Sequence, residues 1–163
     1  MGLTLKVPFA PVPDLHMVRR TLPIMLTEND VVRHLCAHLS ANGYHVHSQC
    51  DTNKAGVDIV AERQADKRIL RVEAKGGTSS KSHTLRFGKP FDSGQVLSHV
   101  SRAFYTAAAL QSLHPGGEVA IALPDDKGHA ECVGKIMAAC QRLDIAVYLV
   151  DTSGDVRRMA FTH

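Results

Sequence analysis

The sequence predicts an α/β fold, a central mixed β-sheet flanked by helices, and three observations carry that reading. Apolar residues recur at helical spacing in three stretches, around 31–39, 96–110 and 133–140. Between the first two, strict alternation over 57–61 and again over 70–74, either side of a polar turn, reads as a β-hairpin. Beyond the second, the apolar runs 119–123 and 146–150 bracket the third helical stretch, as strand–helix–strand units do. The expected order is α-β-β-β-α-β-α-β-β.

The chain has 163 residues, enough for one domain with a full core. A hydrophobic share of 44% against 21% charged excludes disorder as the main state. No apolar run approaches the roughly 20 residues that cross a bilayer, so no membrane partner is expected. The four cysteines, Cys36, Cys50, Cys132 and Cys140, form no C-x-x-C pair and no disulfide or zinc framework. Met1 to Leu26 lacks a basic stretch followed by a long apolar run, so no signal peptide is expected. A reducing, cytoplasmic setting follows.

Residues 1–26 hold Pro8, Pro11, Pro13 and Pro23, a density that prevents a regular helix and favours an extended arm before a single domain over 27–163. Thr27 can cap the first helix, with Asp30 at the capping-box position. Val31, Val32, Leu35, Cys36 and Leu39 form its inner stripe, and Asn42-Gly43 stops it. Tyr44 to Cys50 reads as a strand with Tyr44, Val46 and Ser48 on one face, and His45, His47 and Gln49 on the other. The hairpin centres between Ala65 and Asp66, so Val57 faces Ala74, Ile59 faces Val72 and Ala61 faces Leu70. A slip of one residue would mix polar and apolar faces, so the pattern specifies the register. Asp92 to Leu113 is the long helix, with Val96, Leu97, Val100, Phe104, Ala107, Ala108 and Leu110 inward. Val119 to Leu123 and Ala146 to Val150 are buried strands, Ala130 to Leu143 is one helix, and Asp155 to Phe161 adds an edge strand.

Charge is unevenly spread. Residues 63–89 carry eight bases and two acids, whereas 118–155 carry three bases and seven acids. A basic segment of that kind suits a polyanionic ligand.

In the expected register Asp58 lies opposite Glu73, and Lys75 shares their face two residues on. Two converging carboxylates repel, and a divalent cation relieves the repulsion; hard cations such as Mg²⁺ take oxygen ligands. A lysine beside them can orient a metal-bound water or help to deprotonate it. Such a set suits phosphodiester hydrolysis. Gln95, His99 and Arg102 follow i, i+4, i+7 on the long helix and share one face. Lys54, Lys81, Arg86 and Lys89 are candidates to grip phosphates.

Gly56-Val57-Asp58-Ile59 followed by Val72-Glu73-Ala74-Lys75 resembles the restriction-endonuclease-like, PD-(D/E)XK nuclease superfamily. The resemblance runs from about Thr27 to Val150 and includes the order of elements. It implies a Mg²⁺- or Mn²⁺-dependent endonuclease acting on DNA. By the same resemblance, Asp58 and Glu73 bind the metal, the Ala74 carbonyl adds a ligand and Lys75 serves the nucleophilic water. Glu28 stands where many relatives carry an early helical Glu, and Gln95 where some carry a Gln. Val57 replaces the Pro of the family's name.

Two other functions fit the same residues: a nuclease of RNA, and a binding module of the same fold whose site is dormant. Cutting a duplex with one site per chain calls for two copies, and closed dimers are the commonest assembly. The apolar, Pro-rich arm needs cover, so a homodimer with the arm packed on the partner is expected.

Overall fold

The computed structural model describes residues 25–49, 56–79 and 88–160. The arm before Met25, the strand end at Cys50, and Lys54, Lys81 and Arg86 fall outside them. The elements are α1 (Glu28–Ala41), β1 (Tyr44–Gln49), β2 (Ile59–Arg63), β3 (Ile69–Ala74) and α2 (Ser93–Leu113). There follow β4 (Glu118–Pro124), α3 (Lys127–Gly134), α4 (Met137–Arg142), β5 (Ile145–Val150) and β6 (Val156–Arg158). The strands form one six-stranded mixed sheet whose spatial order follows the chain. The meander β1–β2–β3 is antiparallel, β3–β4 and β4–β5 are parallel, and β6 returns antiparallel to β5.

Two cores lie on the two faces. Val31, Val32, Leu35 and Leu39 of α1 cover Ile59, Ala61, Leu70, Val72 and Ala74, and extend to Ala120, Ala122 and Val150. On the other face Val96, Val100, Ala103, Ala107 and Leu110 of α2, with Val133 and Cys140, cover Val119, Ile121, Leu123, Ile145, Val147 and Leu149. Strands β4 and β5 are therefore buried on both sides, which is why they read as continuous apolar runs.

The hairpin register is as expected, with Ile59 opposite Val72 and Ala61 opposite Leu70. Thr27 and Asp30 close the reciprocal capping box of α1, and Gly43 takes the left-handed conformation that ends it. Leu26, expected in the arm, is buried in the α1 core beside Val31, in the positions of a hydrophobic staple.

Four expectations are corrected. A bulge falls between Val46 and Ser48, so Val46 opposes Ala61 but Ser48 opposes Val60. The extra residue moves Ser48 to the polar face. Val57 lies before β2 and packs on the α2 side, away from Ala74. Leu97 is 59% exposed, because the inward stripe of α2 runs through Val96, Val100 and Ala103 instead. The third helical stretch is two helices. Asp126 caps α3 at His129 N–H, earlier than expected, and the chain turns at Lys135-Ile136 before α4 begins.

Candidate functional site

Strand β3 carries the site at its C-terminal end, where the antiparallel meander meets the parallel half of the sheet. Leu70, Val72 and Ala74 point to the α1 core, so Glu73 points to the α2 side. Just past the strand, Lys75 N–H still donates to the Ala122 carbonyl at 2.9 Å, which continues the parallel ladder and fixes the lysine's direction. Asp58 precedes β2, and its Oδ2 accepts from Ala74 N–H at 2.7 Å. That bond holds the aspartate against the end of β3 beyond the last paired residues.

Glu28 comes from the opposite layer, in the first turn of α1. Gly76 makes this approach possible: a Cβ there would collide with the Glu28 backbone nitrogen and lie 2.8 Å from the Thr27 carbonyl carbon. Only a glycine lets the start of α1 rest on the chain leaving β3.

Lys75 Nζ joins two of the three acids. It donates to Glu73 Oε1 at 2.6 Å and to the Ala74 carbonyl at 2.7 Å, and lies 3.6 Å from Glu28 Oε2. Glu73 is only 8% exposed. Burial pushes the carboxyls of Glu28, Asp58 and Glu73 above their ordinary range, in spite of the nearby ammonium. The Asp58 charge pushes Glu28 and Glu73 further up. Burial alone would lower Lys75, but the bond to Glu73 and the charges of Glu73, Glu28 and Asp58 outweigh it and hold the ammonium above the usual lysine range.

The cluster opens into a cleft of about 430 Å³ lined by Glu73, Lys75, Ser101, Arg102, Tyr105 and Thr106. Arg102 therefore faces the site as its helical spacing predicted. Ser101, Tyr105 and Thr106 were missed; they flank Arg102 or lie one turn on, a signal the sequence contained. Gln95 is held elsewhere. Its Oε1 accepts from Asp92 N–H at 3.1 Å and its own N–H returns to Asp92 Oδ1 at 2.9 Å, the capping box of α2. His99 is half-buried against Phe91, with ring centroids 4.5 Å apart. Burial lowers its pKa, and the charges of His129, Lys75 and Arg102 lower it further. Lys89 is exposed ahead of α2 and does not line the cleft. Lys54, Lys81 and Arg86 lie outside the described residues.

Among the described residues no group of three or more His, Cys, Asp or Glu side chains is set to hold a metal ion. Magnesium needs fewer: one or two carboxylates, with waters and phosphate completing the shell. The donors here suit it, since Asp58, Glu73 and the Ala74 carbonyl offer only oxygen. Two of those oxygen groups already hold a cation, the Lys75 ammonium.

No described helix is long and apolar enough to cross a membrane. Comparison of the chain with protein-family models, curated proteins and solved structures finds no match.

Proposed function

We propose that the chain is a metal-dependent endonuclease of the restriction-endonuclease-like kind, hydrolysing DNA phosphodiester bonds at the end of β3. The observation that carries the reading is the meeting of Asp58, Glu73, Glu28 and Lys75, from the start of α1, the approach to β2 and the end of β3, at one poorly solvated point beside a cleft. Keeping three acids together in partly buried surroundings costs stability, and structure alone gives no return for it.

Asp58, Glu73 and the Ala74 carbonyl would hold Mg²⁺ or Mn²⁺, with Glu28 alongside. Bound there, the ion supplies Lewis-acid stabilisation of phosphoryl charge and a more acidic water. Lys75 would orient the attacking water or help to deprotonate it, and as an ammonium would neutralise phosphate charge. Arg102 offers a second fixed cation with fork geometry for phosphate oxygens. Tyr105, 76% exposed on the cleft wall, offers a ring for stacking.

The short Lys75–Glu73 pair also favours a second reading, a dormant site in a DNA-binding module, because the ammonium occupies an oxygen the metal needs. Nicking of supercoiled plasmid separates the two. Cleavage with Mg²⁺ or Mn²⁺ that stops in EDTA supports the enzyme. Retarded plasmid mobility without cleavage, in either metal, leaves the binding module. A structured RNA cut in preference to the plasmid would move the substrate to RNA.

A further inference from the structure

The site cleft is one of two concavities strung along β3. Leu70, Val72 and Ala74 face α1, so Arg71 shares the α2 side with Glu73 and Lys75. Toward the start of the strand a concavity of about 540 Å³ opens between Lys67, Arg68, Arg71, His114, Gly116 and Gly117. The end of α2 walls it at Leu113, and the same helix walls the cleft at Arg102, Tyr105 and Thr106. Both therefore lie on the seam between α2 and β3.

Charge singles out one residue there. Lys67 Nζ lies 2.9 Å from Glu62, Arg63 lies 2.8 Å from Asp66 and 2.7 Å from Glu118, and Arg68 lies 3.5 Å from Asp66. Those three bases meet three acids. Arg71 is left over: it is half-buried, and among the described residues no acid pairs with it. A guanidinium keeps its charge at any ordinary pH, and one drawn partly out of water calls for an anion. The turn before β4 leaves room for one. Arg71 Nη1 lies 3.2 Å from the point a Cβ on Gly117 would take, so a larger residue would crowd it. Gly116 has open space where a side chain would stand.

We propose that this concavity is a second phosphate site, which holds the DNA backbone about four base pairs from the cut, with Arg71 as its anchoring cation. The inference rests on the proposed function and fixes the direction in which the duplex leaves the cleft. Lys75 and Arg71 are four residues apart along extended chain, about 13 Å at roughly 3.3 Å each. A duplex advances about 3.4 Å per base pair, so one strand that enters at Lys75 passes Arg71 some four base pairs on. The guanidinium fork can take two oxygens of one phosphate.

Binding of a labelled duplex, followed by fluorescence anisotropy in EDTA so that nothing is cut, provides the test. Wild type, Arg71→Gln, Arg71→Lys and Arg142→Gln are titrated between about 50 and 200 mM salt. Arg142, exposed in the last turn of α4, removes the same charge elsewhere. Arg71→Gln should weaken binding about tenfold and reduce the slope of log affinity against log salt by about one. Arg71→Lys keeps the charge without the fork, and should keep the slope and lose less affinity. Arg142→Gln should stay within twofold of the wild type. Unchanged affinity and slope in Arg71→Gln overturn the proposal. So does an equal loss in Arg71→Lys, which would make Arg71 structural, or in Arg142→Gln, which would leave net charge as the cause. Plasmid nicking read in parallel separates this inference from the reading beneath it. Nicking by the wild type beside unaffected binding by Arg71→Gln ends the inference alone, whereas a wild type that neither binds nor nicks ends the nuclease reading with it.

Discussion

Strands β3 and β4 lie side by side in parallel register, and Glu73 is paired with Ile121. The two residues occupy the same row of one sheet, yet the row changes character between them. Ile121 is fully buried beneath α2 and continues through Val147 on β5 as apolar core. Glu73 is nearly as hidden, but its neighbours are Lys75, Asp58 and the polar wall of α2. Burial stabilises the first residue and raises the free energy of the second when it is charged. Similar burial therefore has opposite sign a few ångströms apart. The ionisable cluster lies where the doubly covered half of the sheet gives way to the meander, whose second face is mostly polar.

The largest expected effect separates the two rows by activity. If the site is catalytic, Asp58→Asn and Glu73→Gln each weaken the hold on the metal whose charge offsets that of the phosphoryl group, and plasmid cleavage should fall about 100- to 1000-fold, the scale seen when a pre-organised electrostatic partner is lost. Binding of a labelled duplex should change far less. Cleavage kept within tenfold by both variants would dissolve the distinction between the rows. Ile121→Ala is the counterpart. It leaves a cavity and costs about 2–5 kcal/mol, which lowers the melting temperature by roughly 5–15 °C for a chain of this size. Cleavage by the fraction that remains folded should persist.

Acidity sharpens the same contrast. Glu73 has a carboxyl raised in the folded state, so between its unfolded and folded values the native form binds the extra proton. Its contribution to stability is unfavourable above the folded value and disappears below the unfolded one. Asp66 is the reverse case. Its bonds to Arg63 hold it down to about 2, so it stabilises above the ordinary carboxylate range and loses that contribution as the pH falls toward 2. In EDTA, Glu73→Gln should melt higher than the wild type at pH 8, and the gap should close as the pH approaches 4. A gap that widened on acidification would show that the Lys75 pairing, not burial, dominates Glu73.

Most of the scaffold of this contrast was legible in the sequence. The register of the meander could be read because one face is apolar at every second position and a slip would expose it. The continuous apolar runs of β4 and β5 marked strands covered on both faces. Asp58, Glu73 and Lys75 were found because the period of two placed them on one face. Other features left little trace. The bulge after Val46 needs one extra residue and no special residue type. The break between α3 and α4 falls at Lys135-Ile136, where neither side chain forbids a helix. The approach of Glu28 depends on Gly76, a backbone contact across 48 residues of chain that no local pattern reports.

Gln95 is the position at which the resemblance and the geometry part, and it has the smallest expected effect. The resemblance counts it among the catalytic residues. The structure ties that amide to Asp92 N–H, in a reciprocal box that satisfies two donors at the start of α2. A cap of this kind contributes about 0.5–1 kcal/mol, and its loss frays a helix whose next turns carry Val96 and His99. Gln95→Ala should therefore lower the melting temperature by about 1–4 °C and leave the cleavage rate within twofold of the wild type. Gln95→Glu, which keeps an acceptor for Asp92 N–H but sets a negative charge beside the Asp92 carboxylate, should restore only part of the loss. A hundredfold drop in cleavage with an unchanged melt would move Gln95 into the site and make the cap a resting arrangement from which substrate draws it. The expected pattern instead assigns polar work on α2 to Arg102, two turns further on, where the helix passes over Glu73 and Lys75.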